Sequence, residues 1–444
     1  MTGKLIRNAQ IVTMNADNEV LLGNVRIAQG RIAAIGPEVA AEAGDQVVEA
    51  GGKLLLPGFV QTHIHLCQTL FRGRADDMAL IDWLRKRIWP MEAAHDADSI
   101  YYSAMLGLGE LIRSGTTTIL DMETVRHTDA AFEAIKTSGM RAISGKVMMD
   151  HGTEVPPELQ EETADSLQQS VELLEKWHGA ADGRIQYAFS PRFVVSCSES
   201  LLLGVRDLAT QYGVLIHTHA SENETEIAIV EAERGMRNVV YLDRLGLARP
   251  NLILAHCVWL DDEEREIIRR RGVKMTHCPG SNMKLASGIA EVAALHDAGI
   301  AIGLGADGAS CNNNLDMFQE MRLAALLQKV RRGPEVMPAP QVLRMATMGG
   351  AEVLGMEGEI GSIEVGKRAD LQLLDLEDYH TYPSYDADPF ARVVYAATRG
   401  DVDSVWIGGE TVMRGRRLLT IDRSDTLHGA DRALARLLRR LPGA

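Results

Sequence analysis

Short runs of β-branched and apolar residues alternate with longer segments of helical period through the middle of the chain. The predicted strands are, in order, Leu54–His65, Thr116–Met122, Arg141–Met149, Arg184–Pro191, Val214–Ser221, Leu252–Val258, Lys274–Pro279 and Ala301–Asp307. Strands that alternate with helices pair in parallel, and eight of them close into a (β/α)8 TIM-like barrel. The 444 residues suffice for such a barrel, which needs about 250–300 residues, and for a second module.

Both ends of the chain show the alternation of apolar and polar residues that is typical of half-buried strands. The segments are 4–15, 20–29 and 31–37 at one end, and 370–376, 402–407 and 410–414 near the other. Because chain ends often lie close together, we predict one small β-sandwich built from both. Residues 1–57 would form its N-terminal part, 58–358 the barrel, and 359–444 its C-terminal part with a terminal helix.

Composition excludes several classes of partner. The formal net charge of −15 argues against a nucleic-acid polymer, although it remains compatible with a local basic pocket. No apolar run approaches the roughly 18 residues of a membrane span, and no secretory signal is recognisable. The five cysteines include no C-x-x-C pair, which fits a reducing compartment. We therefore predict a cytoplasmic protein that binds neither membranes nor nucleic acids.

Polar side chains stand at the C-terminal tips of the predicted strands, where barrel enzymes carry their catalytic groups. They are His63 and His65 on the first strand, His217, His219 and Glu222 on the fifth, His256 on the sixth, His277 on the seventh and Asp307 on the eighth. His63 and His65 are two residues apart and therefore face the same side of their strand. Imidazoles combined with one carboxylate predict a site for zinc or iron.

These tips resemble the motifs of the amidohydrolase superfamily. The matching motifs are His63-x-His65, Thr218-His219-Ala-Ser-Glu222, Ala255-His256-Cys257, His277-Cys-Pro-Gly-Ser281-Asn282 and Gly305-Ala-Asp307-Gly308. The resemblance runs essentially from end to end and is strongest to the branch of cytosine, guanine and adenosine-type deaminases and triazine hydrolases. Within that branch the chain is most similar to deaminases of 5′-deoxyadenosine, methylthioadenosine and S-adenosylhomocysteine.

The resemblance implies hydrolytic release of ammonia from the aminopurine ring of a small adenosine-type nucleoside. His63, His65, His219 and Asp307 would together bind one divalent ion, zinc or iron, which lowers the pKa of bound water to about 7. Asp307 would also take a proton from that water. Glu222 would shuttle protons to the ring nitrogen and the leaving group, and His256 would stabilise the developing oxygen. Relatives are often dimers or tetramers, so a homo-oligomer is implied as well.

Two further implications concern the metal. His217 could compete with His219 as a ligand, and the match to the family position favours His219. A second ion commonly needs a bridging lysine on the fourth strand in relatives, and residues 184–191 contain none. One metal ion is therefore expected, with His277 in the wall of the substrate pocket.

The residues expected to bind the substrate resemble those of relatives that act on different substrates. Asp82 and Trp83 follow the first strand, where adenosine-type relatives carry an acid that contacts ribose; Asp82 could equally serve a helix start. Arg192 occupies a position where guanine deaminase contacts the purine carbonyl and adenosine-type relatives tend to have histidine. Guanine deaminase and s-triazine amino- or chlorohydrolase therefore stay open as alternatives. The loop 71–90 would either cover the pocket or form a subunit contact.

Overall fold

Eight parallel strands form a closed barrel in the computed structural model, which describes residues 3–152 and 155–441. Barrel strands 1 to 8 are Phe59–His65, Thr116–Met122, Arg141–Gly145, Ile185–Pro191, Leu215–Ala220, Leu252–His256, Lys274–His277 and Ile302–Leu304. Each pairs with the next in the chain, and strand 8 pairs with strand 1. The predicted (β/α)8 fold is confirmed.

Helices connect the barrel strands and cover their outer faces. The longer ones are Ala97–Arg113, Thr128–Ser138, Thr163–Trp177, Glu199–Tyr212, Glu224–Arg234, Asp262–Arg271 and Met317–Arg332. The terminal helix Arg423–Leu438 follows the last strand of the chain and packs against Ala97–Arg113. Shorter ones include Asn238–Arg244, Pro279–Lys284, Val292–Asp297, Ala339–Met345 and Met348–Leu354. Local sequence sets several boundaries: the Asp261 carboxylate accepts from the Glu264 amide at 2.9 Å, and Gly272 ends the same helix at a φ of 67°. No helix among residues 3–152 and 155–441 has the length and apolar character to cross a membrane.

Strands from both chain ends form one separate module, as predicted. The prediction was a β-sandwich, and the described residues of this module form a nine-stranded sheet. Its members are Lys4–Val12, Val20–Ala28, Arg31–Gly36, Gln46–Glu49, Leu54–Pro57, Leu371–Leu374, Val402–Ile407, Glu410–Arg414 and Arg417–Leu418. Leu54–Pro57 pairs with Leu371–Leu374 in antiparallel register and thereby joins the two ends. The sheet buries its own apolar core, which includes Ile6 and Trp406.

The predicted first strand divides into two at Gly58, and this corrects its boundary. The part before Gly58 belongs to the terminal sheet, and the part after it is barrel strand 1. The Gly58 amide donates to the carbonyl of Asp370 at 2.9 Å, and a Cβ at this position would lie 2.1 Å from Oγ1 of Thr117. Only a glycine allows this approach. The predicted strand extends across Pro57 and Gly58, where the predicted boundary between the two modules also falls.

A buried ion pair connects the barrel to the terminal sheet. Arg141, at the start of barrel strand 3, donates to the carboxylate of Asp370 through Nε at 2.6 Å and NH2 at 3.1 Å. Asp370 immediately precedes Leu371–Leu374 and also accepts from the Gly408 amide at 2.6 Å. Both side chains are almost fully buried, with 3% and 2% exposure. Loss of either charge would therefore leave the other without compensation in a dry environment.

We predict that Asp370→Asn lowers the free energy of unfolding by about 3–5 kcal/mol, because Arg141 keeps its charge but loses its anion. The amide oxygen of the asparagine still accepts from the Gly408 amide, so the decrease in the free energy of unfolding is due to the lost negative charge. Equilibrium urea unfolding measures it. Glu266→Gln is the matched control, since its ion pair with Arg269 is solvent-exposed and should leave the urea midpoint unchanged. Equal midpoints for both variants would contradict the prediction.

Candidate active site

Three histidines and one aspartate meet at the C-terminal rim of the barrel. Oδ1 of Asp307, directly after barrel strand 8, lies 3.3 Å from Nε2 of both His63 and His65 on strand 1. Nε2 of His219, on strand 5, lies 3.3 Å from Nε2 of His65. All four side chains are buried. We call these residues the histidine–aspartate cluster; its size and donor types fit a single divalent ion.

The orientation of each histidine is set by a hydrogen bond at Nδ1. His65 contacts the carbonyl of Met122 at 2.7 Å, and His219 contacts the carbonyl of Arg192 at 2.6 Å. Because a carbonyl can only accept, the proton of these two rings is on Nδ1, which leaves Nε2 free to bind a metal. Burial also lowers the pKa of His65 to about 4, which keeps its ring neutral.

His63 is oriented by a second histidine rather than by a carbonyl. Its Nδ1 lies 2.9 Å from Nε2 of His217, while its Nε2 faces the cluster and has no hydrogen-bond partner among residues 3–152 and 155–441. His217 is fully buried behind it. Of the two histidines on strand 5, the structure thus places His219 in the cluster and His217 in contact with His63.

Glu222 and His256 lie beside the cluster, where the sequence motifs predict them. Oε2 of Glu222 is 3.5 Å from Nε2 of His256, which is 3.8 Å from Oδ2 of Asp307. Nδ1 of His256 donates to Oδ1 of Asn282 at 2.8 Å, and the Ser287 hydroxyl donates to Glu222 at 3.2 Å. Burial raises the pKa of Glu222. Burial alone would lower the pKa of His256, but the two carboxylates outweigh it and the pKa is raised.

A small cavity opens directly onto these groups. Its walls are His65, Gln68, Leu80, Trp83, Leu84, Arg192, Phe193, His219, Glu222, His256, Leu285 and Asp307. Its free volume is about 30 Å³, whereas ligand pockets commonly measure about 300–1,000 Å³. Leu80, Trp83 and Leu84 belong to the helical segment 80–93 and cover the cavity. The cavity in this conformation is therefore smaller than a nucleoside.

Arg192 reaches the cavity with its charge already paired. Its NH1 and NH2 donate to the carboxylate of Glu92 at 2.6 and 3.3 Å. The same carboxylate accepts from the Gln68 amide at 2.9 Å, and Gln68 in turn accepts from Ser310 at 2.6 Å. Sequence reasoning missed Glu92, which is 3% exposed. The one signal for it was an acid among the apolar residues of a short helix.

Two predicted substrate contacts lie outside the cavity. Asp82 points into solvent and pairs with Lys86 one helical turn later, at 2.9 Å. His277 is fully buried at the tip of strand 7, and neither of its ring nitrogens has a partner in the described part of the chain. The helical spacing of Asp82 from Trp83 explains the first case, because adjacent helical residues face different directions. The structure thus brings Trp83 and Arg192 to the cavity, but not Asp82 or His277.

Comparison with known proteins agrees with this geometry. Residues 54–412 match the model of the amidohydrolase family. The chain belongs to this family. It is 42% identical to a 5′-deoxyadenosine deaminase of Methanobrevibacter smithii, over 98% of each chain. It is 40% identical to a 5-methylthioadenosine/S-adenosylhomocysteine deaminase of Desulforudis audaxviator, over 98% of this chain and 99% of the relative. A zinc-bound adenosine deaminase structure from Xanthomonas campestris is 34% identical, with a TM-score of 0.91 and 98% coverage of each chain.

We predict that His217→Phe weakens zinc binding by about 10–100-fold, because the His63 ring loses the contact that orients it. Competition with a chromophoric chelator measures the affinity. His277→Phe is a matched control: it also replaces a buried imidazole at a strand tip, but one without a hydrogen bond to the described part of the chain, and should keep the zinc affinity. The same loss in both variants would show that His217 acts through packing alone.

Proposed function

We propose that the protein is a metal-dependent hydrolytic deaminase that releases ammonia from the aminopurine ring of 5′-deoxyadenosine, methylthioadenosine or S-adenosylhomocysteine. The observation that carries the proposal is the position of Glu222 and His256 beside the histidine–aspartate cluster, in one covered cavity. Support comes from full-length relatives about 40% identical that are named as deaminases of these nucleosides.

His63, His65, His219 and Asp307 are the proposed ligands of one divalent ion, with zinc as the first candidate and iron as the second. A divalent ion in such a site supplies hydroxide from water at neutral pH. The zinc-bound relative supports the first choice. The absence of a lysine on barrel strand 4 supports one ion rather than two.

The two oxygens of Asp307 have different surroundings, which suggests different tasks. Oδ1 faces His63 and His65, whereas Oδ2 accepts from the Ser281 hydroxyl at 2.6 Å and faces His256. We assign to Oδ2 the role of base that takes the proton of the attacking water. His256, held between two carboxylates, then donates a hydrogen bond from Nε2 to the oxygen that forms on the attacked carbon.

Glu222 is the proposed proton shuttle. In its protonated form it gives its proton to the ring nitrogen next to the attacked carbon. The resulting carboxylate takes the proton of the newly added hydroxyl group and delivers it to the departing amino group, and the proton held by Asp307 then restores the protonated form of Glu222. Water adds, ammonia leaves, and an amino group is replaced by an oxo group. Its raised pKa favours the protonated form that begins this sequence, and Ser287 holds Oε1 while Oε2 faces His256.

We predict that Glu222→Gln reduces ammonia release at least about 100-fold while one zinc ion per chain stays bound, because glutamine cannot transfer the proton. An ammonia assay with 5′-deoxyadenosine, methylthioadenosine, S-adenosylhomocysteine, adenosine, guanine and a panel of s-triazines measures turnover, and elemental analysis measures zinc. Near-normal turnover in the variant would overturn the mechanism. Activity confined to guanine or triazines would overturn the substrate assignment.

Guanine deamination is the second candidate, and the position of Arg192 favours it. This side chain is buried in the cavity wall and presents only hydrogen-bond donors, which suit a purine carbonyl better than an amino group. Glu92 neutralises its charge, so its remaining donors can serve a neutral base.

We predict that Arg192→His shifts the ratio of kcat/KM for aminopurine nucleosides over guanine upward by about tenfold or more, because one good directional contact is worth at least that factor. Competition assays with both substrates measure the ratio. Arg192→His combined with Glu92→Gln is the control that avoids an uncompensated buried carboxylate. A ratio unchanged in both variants would mean that Arg192 does not contact the base.

We further propose that the protein acts as a homo-oligomer in the cytoplasm. All five cysteines are free and buried, which supports a reducing compartment. The substrate would be a small heterocyclic compound, as the names of the relatives support.

A further inference from the structure

A groove on the outside of the barrel gathers five arginines around one carboxylate. It lies between the helix Ala97–Arg113 and the segment 399–427, and its arginines are Arg72, Arg113, Arg399, Arg416 and Arg423. Glu110 is the single acidic residue among its described walls. The groove has a volume of about 410 Å³, which is within the usual range for small-molecule sites of about 300–1,000 Å³. It shares no residue with the active-site cavity.

The positive charge of this groove is largely uncompensated. Glu110 forms ion pairs with both Arg72 and Arg399, the latter at 3.1 Å, so one carboxylate serves two guanidinium groups. Arg416 donates to backbone carbonyls, among them Arg399 at 3.0 Å and Val402 at 3.3 Å, and to no carboxylate of the described chain.

The guanidinium groups of Arg113 and Arg423 have neither a hydrogen bond nor an ion pair with any residue of 3–152 and 155–441. Arg113 is half-buried, and its pKa is lowered by burial and then by Arg416, Arg423 and Arg399. A concentration of unpaired arginines is unusual in a chain with a net charge of −15, where acidic partners are abundant. Such a group of like charges is stabilised when an anion binds.

The remaining walls of the groove are apolar. Met105, Leu106, Leu418, Ile421 and Leu427 line the space next to the arginines. A ligand that fills the groove would therefore combine anionic oxygens with contacts to an apolar surface. Arginine suits phosphate in particular, because its planar guanidinium can donate two parallel hydrogen bonds to one phosphate group.

We propose that this groove binds a phosphate-bearing small molecule, with its phosphate oxygens on Arg113, Arg416 and Arg423. Two sources offer this chemistry: inorganic phosphates, which would use the arginines alone, and nucleotides, whose base would also contact the apolar wall. The site is independent of the proposed deaminase chemistry, since it lies on the outer face of another set of elements.

The test is calorimetric titration of the metal-loaded full-length protein with pyrophosphate and with uridine 5′-diphosphate at two salt concentrations. We expect one saturable site per chain whose affinity falls as salt rises. Tighter binding of the nucleotide identifies that source, and equal affinities identify the inorganic one. Arg113→Gln with Arg423→Gln should weaken binding at least about tenfold, because two charge-assisted hydrogen-bond donors are lost.

The matched control is Arg269→Gln with Arg270→Gln, which removes the same charge from the exposed face of the helix Asp262–Arg271 and should keep the affinity. Ammonia release by all variants verifies that the active site is intact. Absence of saturable binding to the wild type would overturn the proposal, and so would equal binding by wild type and the Arg113/Arg423 variant. A changed oligomeric mass of that variant without anion binding would also overturn it and assign the groove to a contact between copies.

Discussion

The hydrogen bonds at Nδ1 of His63, His65 and His219 are the interactions on which the site depends. Parallel closure of the barrel brings these residues to one rim, but an imidazole at a strand tip can still turn. The contacts to His217, Met122 and Arg192 set the three rings so that each Nε2 faces the same point as Oδ1 of Asp307. A preformed donor set of this kind reduces the cost of ordering ligands when an ion binds.

Two kinds of buried charged group surround this cluster: one ion pair that is compensated, and a set of groups with shifted pKa values. Arg192 and Glu92 compensate each other in the cavity wall, so they add directional donors without a net field. Glu222, His256 and Asp307 form no such closed pair, and their pKa values shift in different directions under burial and mutual attraction. Buried groups whose pKa values are shifted apart in one cavity are suited to proton transfer, whereas the ion pair of Arg192 and Glu92 is suited to binding the substrate.

Regular elements were predictable where local pattern dictates them. Short runs of β-branched and apolar residues indicated the barrel strands, because a parallel strand that is buried on both faces is apolar along most of its length. A module boundary after residue 57 was expected from the sequence, whereas the close approach of Thr117 to Gly58 was not, since Thr117 lies on the neighbouring strand. Asp82 was predicted to contact the substrate from its resemblance to an acid of adenosine-type relatives, yet the turn of its helix directs it to solvent, where it pairs with Lys86. Glu92 was missed because the turn of its short helix directs it into the cavity wall, where it pairs with Arg192.

The order of residues along the chain is sufficient to identify the barrel, the strand-tip histidines and Asp307, because each depends on neighbours within one strand or turn. Long-range packing settles the rest: which of His217 and His219 faces the cluster, which acid pairs with Arg192, and how tightly the segment 80–93 covers the cavity. The paired histidines lie 154 positions apart and Glu92 lies 100 positions from Arg192. Their geometry follows from how the helices and loops pack over the rim, which local periodicity does not encode.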